Sequence, residues 1–409
     1  MDRRDDVVSE ASGDRPLTPV VHDVDDPEGR AAVARPLAVR VLGEPAPSLP
    51  SRAYIDPAVY ERERERLFFA KWLCAGREEE WPEPGDYALR DVAGESVLVV
   101  RDRTGDLRAF YNVCRHRGTV LCESASGRFP RHGITCPYHG WTYAFDGRLQ
   151  GTRYMVRMPD FQKADYPLYP VHTASWGGFV WLNLAPDPPA LATELGGLWT
   201  HFARYGLPAL RRAHRIEYDV AANWKLLVEN FGECYHCPVI HPALNRGTPY
   251  LGGGAATLEG ERAWRGGAWM DLADGFATLT IAGTARRPAL PGLAPEDHRR
   301  VYYNTVYPNF FLSFFPDYVL THTLWPAAAD RTRIVCEWLF APETMAADGF
   351  DAGDAVEFWD LTNRQDWHVC ELAQRGNRSR AHVQGVHVGQ EAGPQYFTRY
   401  YRAAMGDRG

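Results

Sequence analysis

Cys114-Arg115-His116 and Cys136-Pro137-Tyr138-His139 are the two stretches on which the reading of this chain turns. Each supplies one thiolate and one imidazole. Each also runs directly into turn material, Arg117-Gly118 after the first and Gly140-Trp141 after the second. A Cys-x-His pair followed roughly twenty residues later by Cys-x-x-His is a four-donor metal set. One site that uses such a set is structural zinc, with all four positions filled. The other is a [2Fe–2S] cluster in which two Cys hold one iron and two His replace Cys on the second. Zinc fingers usually pair Cys with Cys at one end and His with His at the other. Here each loop mixes the two donors, as the cluster requires, because each loop must reach both irons.

The second loop continues as Cys136-Pro-Tyr-His-Gly-Trp141, and with this wording the chain resembles the α subunit of the Rieske non-heme iron oxygenases, the ring-hydroxylating and demethylating family. The resemblance implies a Rieske [2Fe–2S] cluster on Cys114, His116, Cys136 and His139. The spacer between His116 and Cys136 is slightly longer than is common in the family and reads as a longer turn through Ser124 to His132. Respiratory Rieske proteins carry two further cysteines that form a disulfide beside the cluster. The corresponding residues here are Thr119 and Tyr138, so that bond has no counterpart. This fits a lower-potential cluster fed by a ferredoxin or a reductase.

Length and charge narrow the rest. The 409 residues suggest two or three domains. The net charge of −7, without a Lys/Arg run, argues against nucleic acid as a partner. No stretch approaches the ~20 apolar residues that span a membrane. The polar opening Met1-Asp2-Arg3-Arg4-Asp5-Asp6 lacks the apolar core of a signal peptide, which places the protein in the cytoplasm by default. In that reducing compartment the eight cysteines are free thiols or metal ligands.

Along the chain, residues 1–44 lack periodicity and read as a mobile leader, and 45–74 as an N-terminal helical segment. Within that segment Asp56-Pro57 starts a helix, and Glu61 to Arg66 reads as its solvated face. Alternating runs at Tyr87–Arg90, Ser96–Val100, Leu107–Tyr111, Trp141–Phe145 and Val171–Leu184 predict an antiparallel β domain over 75–184, with the hairpin signal Asp146-Gly147 inside it. The remainder, 185–409, mixes elements. Helices are predicted over 195–205, 223–236 and 355–375, and strands over 213–221, 301–325 and 332–341. Strands enclosing long helices suggest an α+β, helix-grip-like catalytic domain, an antiparallel sheet wrapped around a helix. The glycines from Gly252 and the surrounding 245–295 suggest a lid.

A second constellation lies at Asn223 to His241. On one continuous helix Glu229, Glu233 and His236 share a face at i, i+4 and i+7. Pro238 breaks the last turn and so allows His241 to reach the same point. Two imidazoles and one carboxylate make the facial triad of non-heme Fe(II) oxygenases. Cys234-x-x-Cys237 could join the two His in a zinc site, but on a helix Cys234 faces away from His236. A di-iron bundle needs two Glu-x-x-His motifs, and one is present. The third ligand must come from further on, and Glu357, Asp360, Asp366 and Glu371 are on offer.

The resemblance selects among these. It places the mononuclear iron on His236, His241 and Asp366. It makes Glu233 an electron-transfer bridge between His236 and a cluster His of a neighbouring subunit. Asn230 has two equal readings, a gate to the iron and a core hydrogen-bonding residue. No dinucleotide fingerprint stands in the chain, so electrons from NAD(P)H would come through a separate reductase or ferredoxin. The resemblance further implies a homotrimer that uses O₂ on a small organic substrate. The aromatic strands suit a ring, and equally a quaternary ammonium such as glycine betaine held by cation–π contacts; Glu233-Cys-Tyr-His236 leans toward the latter. The competing class is a Rieske electron carrier with an inert second domain.

Overall fold

The computed structural model describes residues 42–255 and 267–406, so nearly all of the expected leader, 1–41, lies outside the described residues. Strand β1 (Ala46–Pro50) leads through a short helical turn, Arg52–Ile55, to α1 (Pro57–Glu63), which continues as one wider π turn over Arg64–Phe68. Asp56 caps α1 by accepting the Ala58 N–H at 2.9 Å, and Pro57 fills the first turn, where its missing N–H costs nothing. The charged run is not wholly solvated, however. Glu63 is fully buried and lies 2.6 Å from Lys225 Nζ. Spacing explains the correction: positions 59, 63 and 67 form one i, i+4 stripe, and Val59 and Leu67 are core residues.

The alternating runs then pair. Strands β2 (Leu73–Arg77), β3 (Asp86–Val92), β4 (Glu95–Arg101), β5 (Leu107–Tyr111), β6 (Ser126–Arg128), β10 (Pro170–Trp176) and β11 (Phe179–Asn183) make one antiparallel sheet in the order β2-β11-β10-β5-β4-β3-β6. A three-stranded sheet, β7 (Ile134–Thr135), β8 (Trp141–Tyr143) and β9 (Leu149–Thr152), packs with it around Leu98, Phe110, Trp141 and Tyr143. Asp146-Gly147 turns the β8–β9 hairpin. Gly147 has φ +88°, and a Cβ there would meet the Phe110 ring at 2.4 Å.

Arg77 ties this domain to the next. It is buried, and its guanidinium donates to the carbonyls of Gly177, Leu207 and Leu210. Asn309 adds a reciprocal pair with the Cys74 backbone.

The second large sheet is antiparallel in the order β12-β18-β17-β16-β15-β14-β13. Its strands are β12 (Arg211–Val220), β13 (Gly253–Ala255), β14 (Gly267–Asp271), β15 (Arg300–Val306), β16 (Phe310–Phe314), β17 (Val319–Ala328) and β18 (Arg331–Phe340). The glycines from Gly252 therefore serve a sheet edge rather than a loose lid: a Cβ on Gly254 would meet the Trp269 ring at 2.7 Å. Residues 256–266 of the expected lid lie outside the described residues. The predicted helix over 195–205 is instead three short pieces broken at Gly196, whose φ is +50°.

Four helices matter for the site: α2 (Trp224–Phe231), α3 (Cys237–Ile240), α4 (Pro242–Gly247) and the 24-residue α5 (Gly353–Gly376). Helix α5 buries Phe358, Trp359, Thr362, Trp367 and Cys370. This is the expected sheet around a long helix. Beyond it, β19 (Gln384–His387) pairs with β1, and an unanticipated helix, α6 (Ala392–Met405), packs on α2. No helix among the described residues is long and apolar enough to cross a membrane.

Candidate metal centres

The two Cys/His loops follow β5 and β7 and are built alike. In the first, Cys114 N–H donates to Thr119 O and Gly118 N–H to Cys114 O. In the second, Cys136 N–H donates to Trp141 O and Gly140 N–H to Cys136 O. Gly118 and Gly140 have φ of +71° and +70°, a conformation that favours glycine. The result is a polarity across the site. Cys114 and Cys136 are buried free thiols, whereas His116 is exposed and His139 partly so, with their rings 4.6 Å apart. His116 stacks on Trp141 at 4.7 Å, and Tyr143 Oη lies 3.2 Å from Cys114 Sγ. The Nδ1 of His139 is buried without a hydrogen-bond partner. Two inward sulfurs and two outward imidazoles, one with an orphaned nitrogen, fit a [2Fe–2S] cluster that two Cys would hold at one iron and two His at the other.

The second centre departs from the sequence reading in how it is built. Helix α2 starts where Asn223 accepts the Lys225 N–H, but it ends at Phe231 with Gly232 as its C-cap. Glu233 and His236 therefore do not continue the face of Glu229. They lie in an irregular link, and Pro238 starts α3 instead of breaking α2. A disulfide joins Cys234 to Cys237, so these two are neither free thiols nor zinc ligands. His241 caps the end of α3 and the start of α4.

This path brings three residues together. Asp366 on α5 places Oδ1 2.8 Å from His241 Nε2 and 3.4 Å from His236 Nε2. One donor atom from each of the three lies within 4.8 Å of the others. Each imidazole is held from behind through Nδ1. Glu233 Oε1 accepts from His236 at 2.5 Å, and Gln365 Oε1 accepts from His241 at 2.7 Å. These contacts turn both Nε2 atoms toward Asp366, where a metal would be shared among the three donors. Burial alone would lower the His236 pKa, but hydrogen bonds to Asp366 and Glu233 outweigh it and raise it to about 10. Burial likewise opposes ionisation of Asp366, yet the two imidazoles hold its carboxyl well below the usual range. A site that keeps a carboxylate charged among buried imidazoles fits a divalent cation.

Of the other offered carboxylates, Glu357 is exposed and the remaining two are engaged elsewhere. Asp360 accepts from Tyr218 and Arg364, and Glu371 from the Ala221 N–H. His368 is exposed, off the site. Asn230 lines the cavity above the triad. Sequence reasoning missed Gln365, since a glutamine beside an aspartate carries no periodic signal.

Two family descriptions match the chain: the Rieske [2Fe-2S] domain over residues 71–162 and the ring hydroxylating alpha subunit (catalytic domain) over 207–407. The glycine betaine monooxygenase oxygenase subunit of Pseudomonas aeruginosa is 31% identical over 366 residues, covering 83% of this chain and 84% of that protein. The chain belongs to the Rieske non-heme iron oxygenase family. Its members also include the carnitine monooxygenase oxygenase subunit of Acinetobacter baumannii, 29% identical over 340 residues and covering 82% and 86%. The crystal structure of the quaternary ammonium Rieske monooxygenase CntA with γ-butyrobetaine superposes with a TM-score of 0.70 at 25% identity, covering 91% and 97%.

As a Rieske oxygenase the protein is an oxidoreductase. It takes electrons from a redox partner through its [2Fe–2S] domain and oxygenates a small organic substrate at a mononuclear iron. The cavity over the triad has a volume of about 210 Å³, and Phe231, Tyr250, Trp269, Tyr303, Tyr307 and Trp359 are among its walls.

Proposed function

We propose that this oxygenase oxidises a methylated quaternary ammonium compound. The observation that carries the reading is the cavity: its walls combine aromatic rings with the carboxylates of Glu233 and Asp366. A tetraalkylammonium has no N–H to donate, so π faces and nearby negative charge are what can hold it. The relatives named above, which act on glycine betaine and carnitine, support the same class.

His236, His241 and Asp366 would hold the iron, and Cys114, His116, Cys136 and His139 the cluster. When bound, the iron supplies reduction of O₂ and insertion of one oxygen atom into a C–H bond. The chain's own part is to seat the ammonium on the aromatic walls, with a methyl group toward the triad, and to exclude water. Overall, R–N(CH₃)₃⁺ + O₂ + 2e⁻ + 2H⁺ gives the N-hydroxymethyl cation and water. The cation then releases formaldehyde, the tertiary amine and a proton.

Glu233 would carry the electronic link to the cluster. One of its oxygens bonds His236, and the residue is half-buried beside exposed Tyr235, so a shift of its carboxylate would let it reach a cluster His of a neighbour. A cyclic homotrimer supplies that neighbour. Exposed Tyr138, Tyr154 and Met158 near the cluster and Tyr235 and Val239 near the iron site are two different apolar faces on one chain, as a head-to-tail ring needs.

The deciding experiment couples the purified oxygenase to a Rieske-oxygenase reductase and NADPH. Formaldehyde is then measured against a panel of trimethylammonium compounds and monocyclic and bicyclic arenes. Equimolar formaldehyde and demethylated amine from one trimethylammonium compound is the expected result. Oxygenated arene, with every ammonium untouched, would refute the proposal.

A further inference from the structure

The link between α2 and α3 holds a feature that the oxygenation itself does not use. Cys234 and Cys237 bracket Tyr235-His236, with Cα atoms 5.0 Å apart and the sulfurs bonded. That separation lies within the range a disulfide bridges. Glu233 directly precedes the pair and His236 lies inside it, so the sulfur bond clamps the carboxylate and the imidazole onto one turn. In this clamped form Glu233 is turned inward. One oxygen bonds His236 Nδ1, and the other accepts from the backbone N–H groups of Tyr235 and His236. Both cysteines line the cavity over the triad, Cys234 partly exposed and Cys237 buried.

We propose that Cys234 and Cys237 are a reversible thiol–disulfide pair, oxidised by hydrogen peroxide formed in the cavity they line, and that oxidation slows electron delivery to the iron by holding Glu233 inward. An oxygenase that delivers two electrons and two protons to O₂ with no substrate to accept oxygen releases H₂O₂. The more accessible sulfur, Cys234, attacks one peroxide oxygen; the O–O bond breaks, leaving a sulfenic acid and one water. The Cys237 sulfur then displaces the hydroxyl as a second water, forming the S–S bond. The balance is 2 RSH + H₂O₂ → RS–SR + 2 H₂O, with two electrons passing from sulfur to peroxide. A dithiol reductant of the thioredoxin class reverses it by exchange. The pair thus closes a feedback from unproductive turnover to electron supply. It rests on the oxygenase chemistry and not on which substrate the cavity holds.

The test uses the full-length holoenzyme, reduced with dithiothreitol under anaerobic conditions, freed of reductant and treated with one equivalent of H₂O₂. Differential alkylation with mass spectrometry reads the thiols, and stopped-flow absorbance reads re-oxidation of the reduced cluster in a single turnover. Sulfide content is used to normalise for intact cluster. The expected result is loss of 2 Da and of both alkylation sites on the peptide carrying Cys234 and Cys237. Cys122, whose thiol burial pushes up to about 11, should stay alkylatable. Cluster re-oxidation should slow about tenfold and recover with thioredoxin. In Cys234→Ser and in Cys237→Ser the re-oxidation rate should no longer respond to peroxide. A pair that stays reduced in peroxide, a disulfide that thioredoxin cannot open, or equal re-oxidation rates in the two states would each overturn the proposal.

Discussion

Gln365 and Asp366 are neighbours on α5, yet they grip opposite nitrogens of one imidazole, Gln365 at Nδ1 and Asp366 at Nε2 of His241. The two side chains therefore have separable effects. Asp366→Asn removes a charge from the donor set and should lower iron by one per chain while leaving acid-labile sulfide unchanged, read by metal and sulfide analysis of anaerobically prepared protein. Gln365→Leu keeps all three donors but releases the His241 ring. Such partners of metal-bound His are worth about 10–100-fold in affinity, so iron should be stripped by correspondingly less chelator. Why one was legible and the other not is a matter of chemistry. Donor identity and spacing at Cys114–His139 and at Glu233–His241 are discrete signals. A hydrogen-bonding glutamine on an amphipathic helix has no signature, nor does a buried glutamate inside the charged run at 61–66.

Helix α2 concentrates buried charge. Lys225 and Glu63 are both wholly buried and 2.6 Å apart, and the same carboxylate accepts from Trp224 Nε1 and Tyr401 Oη. Removing one partner strands the other charge, so Lys225→Met should destabilise the protein by about 3–5 kcal/mol, seen as a lower thermal midpoint in calorimetry. One turn on, burial pushes the Glu229 carboxyl up to about 7 against the pull of Tyr54 and Lys225. An unfolded glutamate ionises near about 4.3. Between these values the unfolded chain has lost the proton and the folded one keeps it, so this group's contribution falls as pH rises from about 4.3 to 7, by about 4 kcal/mol in all. Glu229→Gln retains the acceptor for Tyr54 but cannot ionise. Its thermal midpoint should exceed the parent's at pH 8 and match it most closely near pH 4.5, which a pH series of melts checks. At this scale strands were readable because period-two alternation survives tertiary context. The α2 boundary was not, because Gly232 and the Cys234–Cys237 bond end the helix where the polar pattern runs on. Helix α6 was missed for a related reason. Gly393 and Pro394 in its first turn read as loop, whereas Gly393 is where α6 meets the Gly232 carbonyl, 2.0 Å from a would-be Cβ.

The whole molecule raises the question of which cluster serves which iron. The apolar residues near the cluster and those near the iron site differ in kind, so pairing one with the other is a head-to-tail contact, which a ring closes. For the trimer proposed above, light scattering should give three times the 46.1 kDa chain mass. The stronger prediction concerns mixing. His139→Ala disables the cluster of a chain and Asp366→Ala its iron, so homogeneous preparations of each should be inactive. When both are co-expressed with different tags and the mixed assemblies isolated, an intact iron can be fed by an intact cluster across the interface. In an isolated mixed trimer, whether two-to-one or one-to-two, one of the three positions joins an intact iron to an intact neighbouring cluster. Activity should return to about a third of the parental value per site. Electron transfer confined to one chain predicts no recovery at any mixing ratio, because every chain then lacks one of its own two centres. Adding Glu233→Gln to the chain with the intact iron separates the bridge from the assembly. The mixed trimer should still form with full cluster and iron content, but the recovered activity should be lost, and the reduced clusters should stay reduced when oxygen and substrate are added.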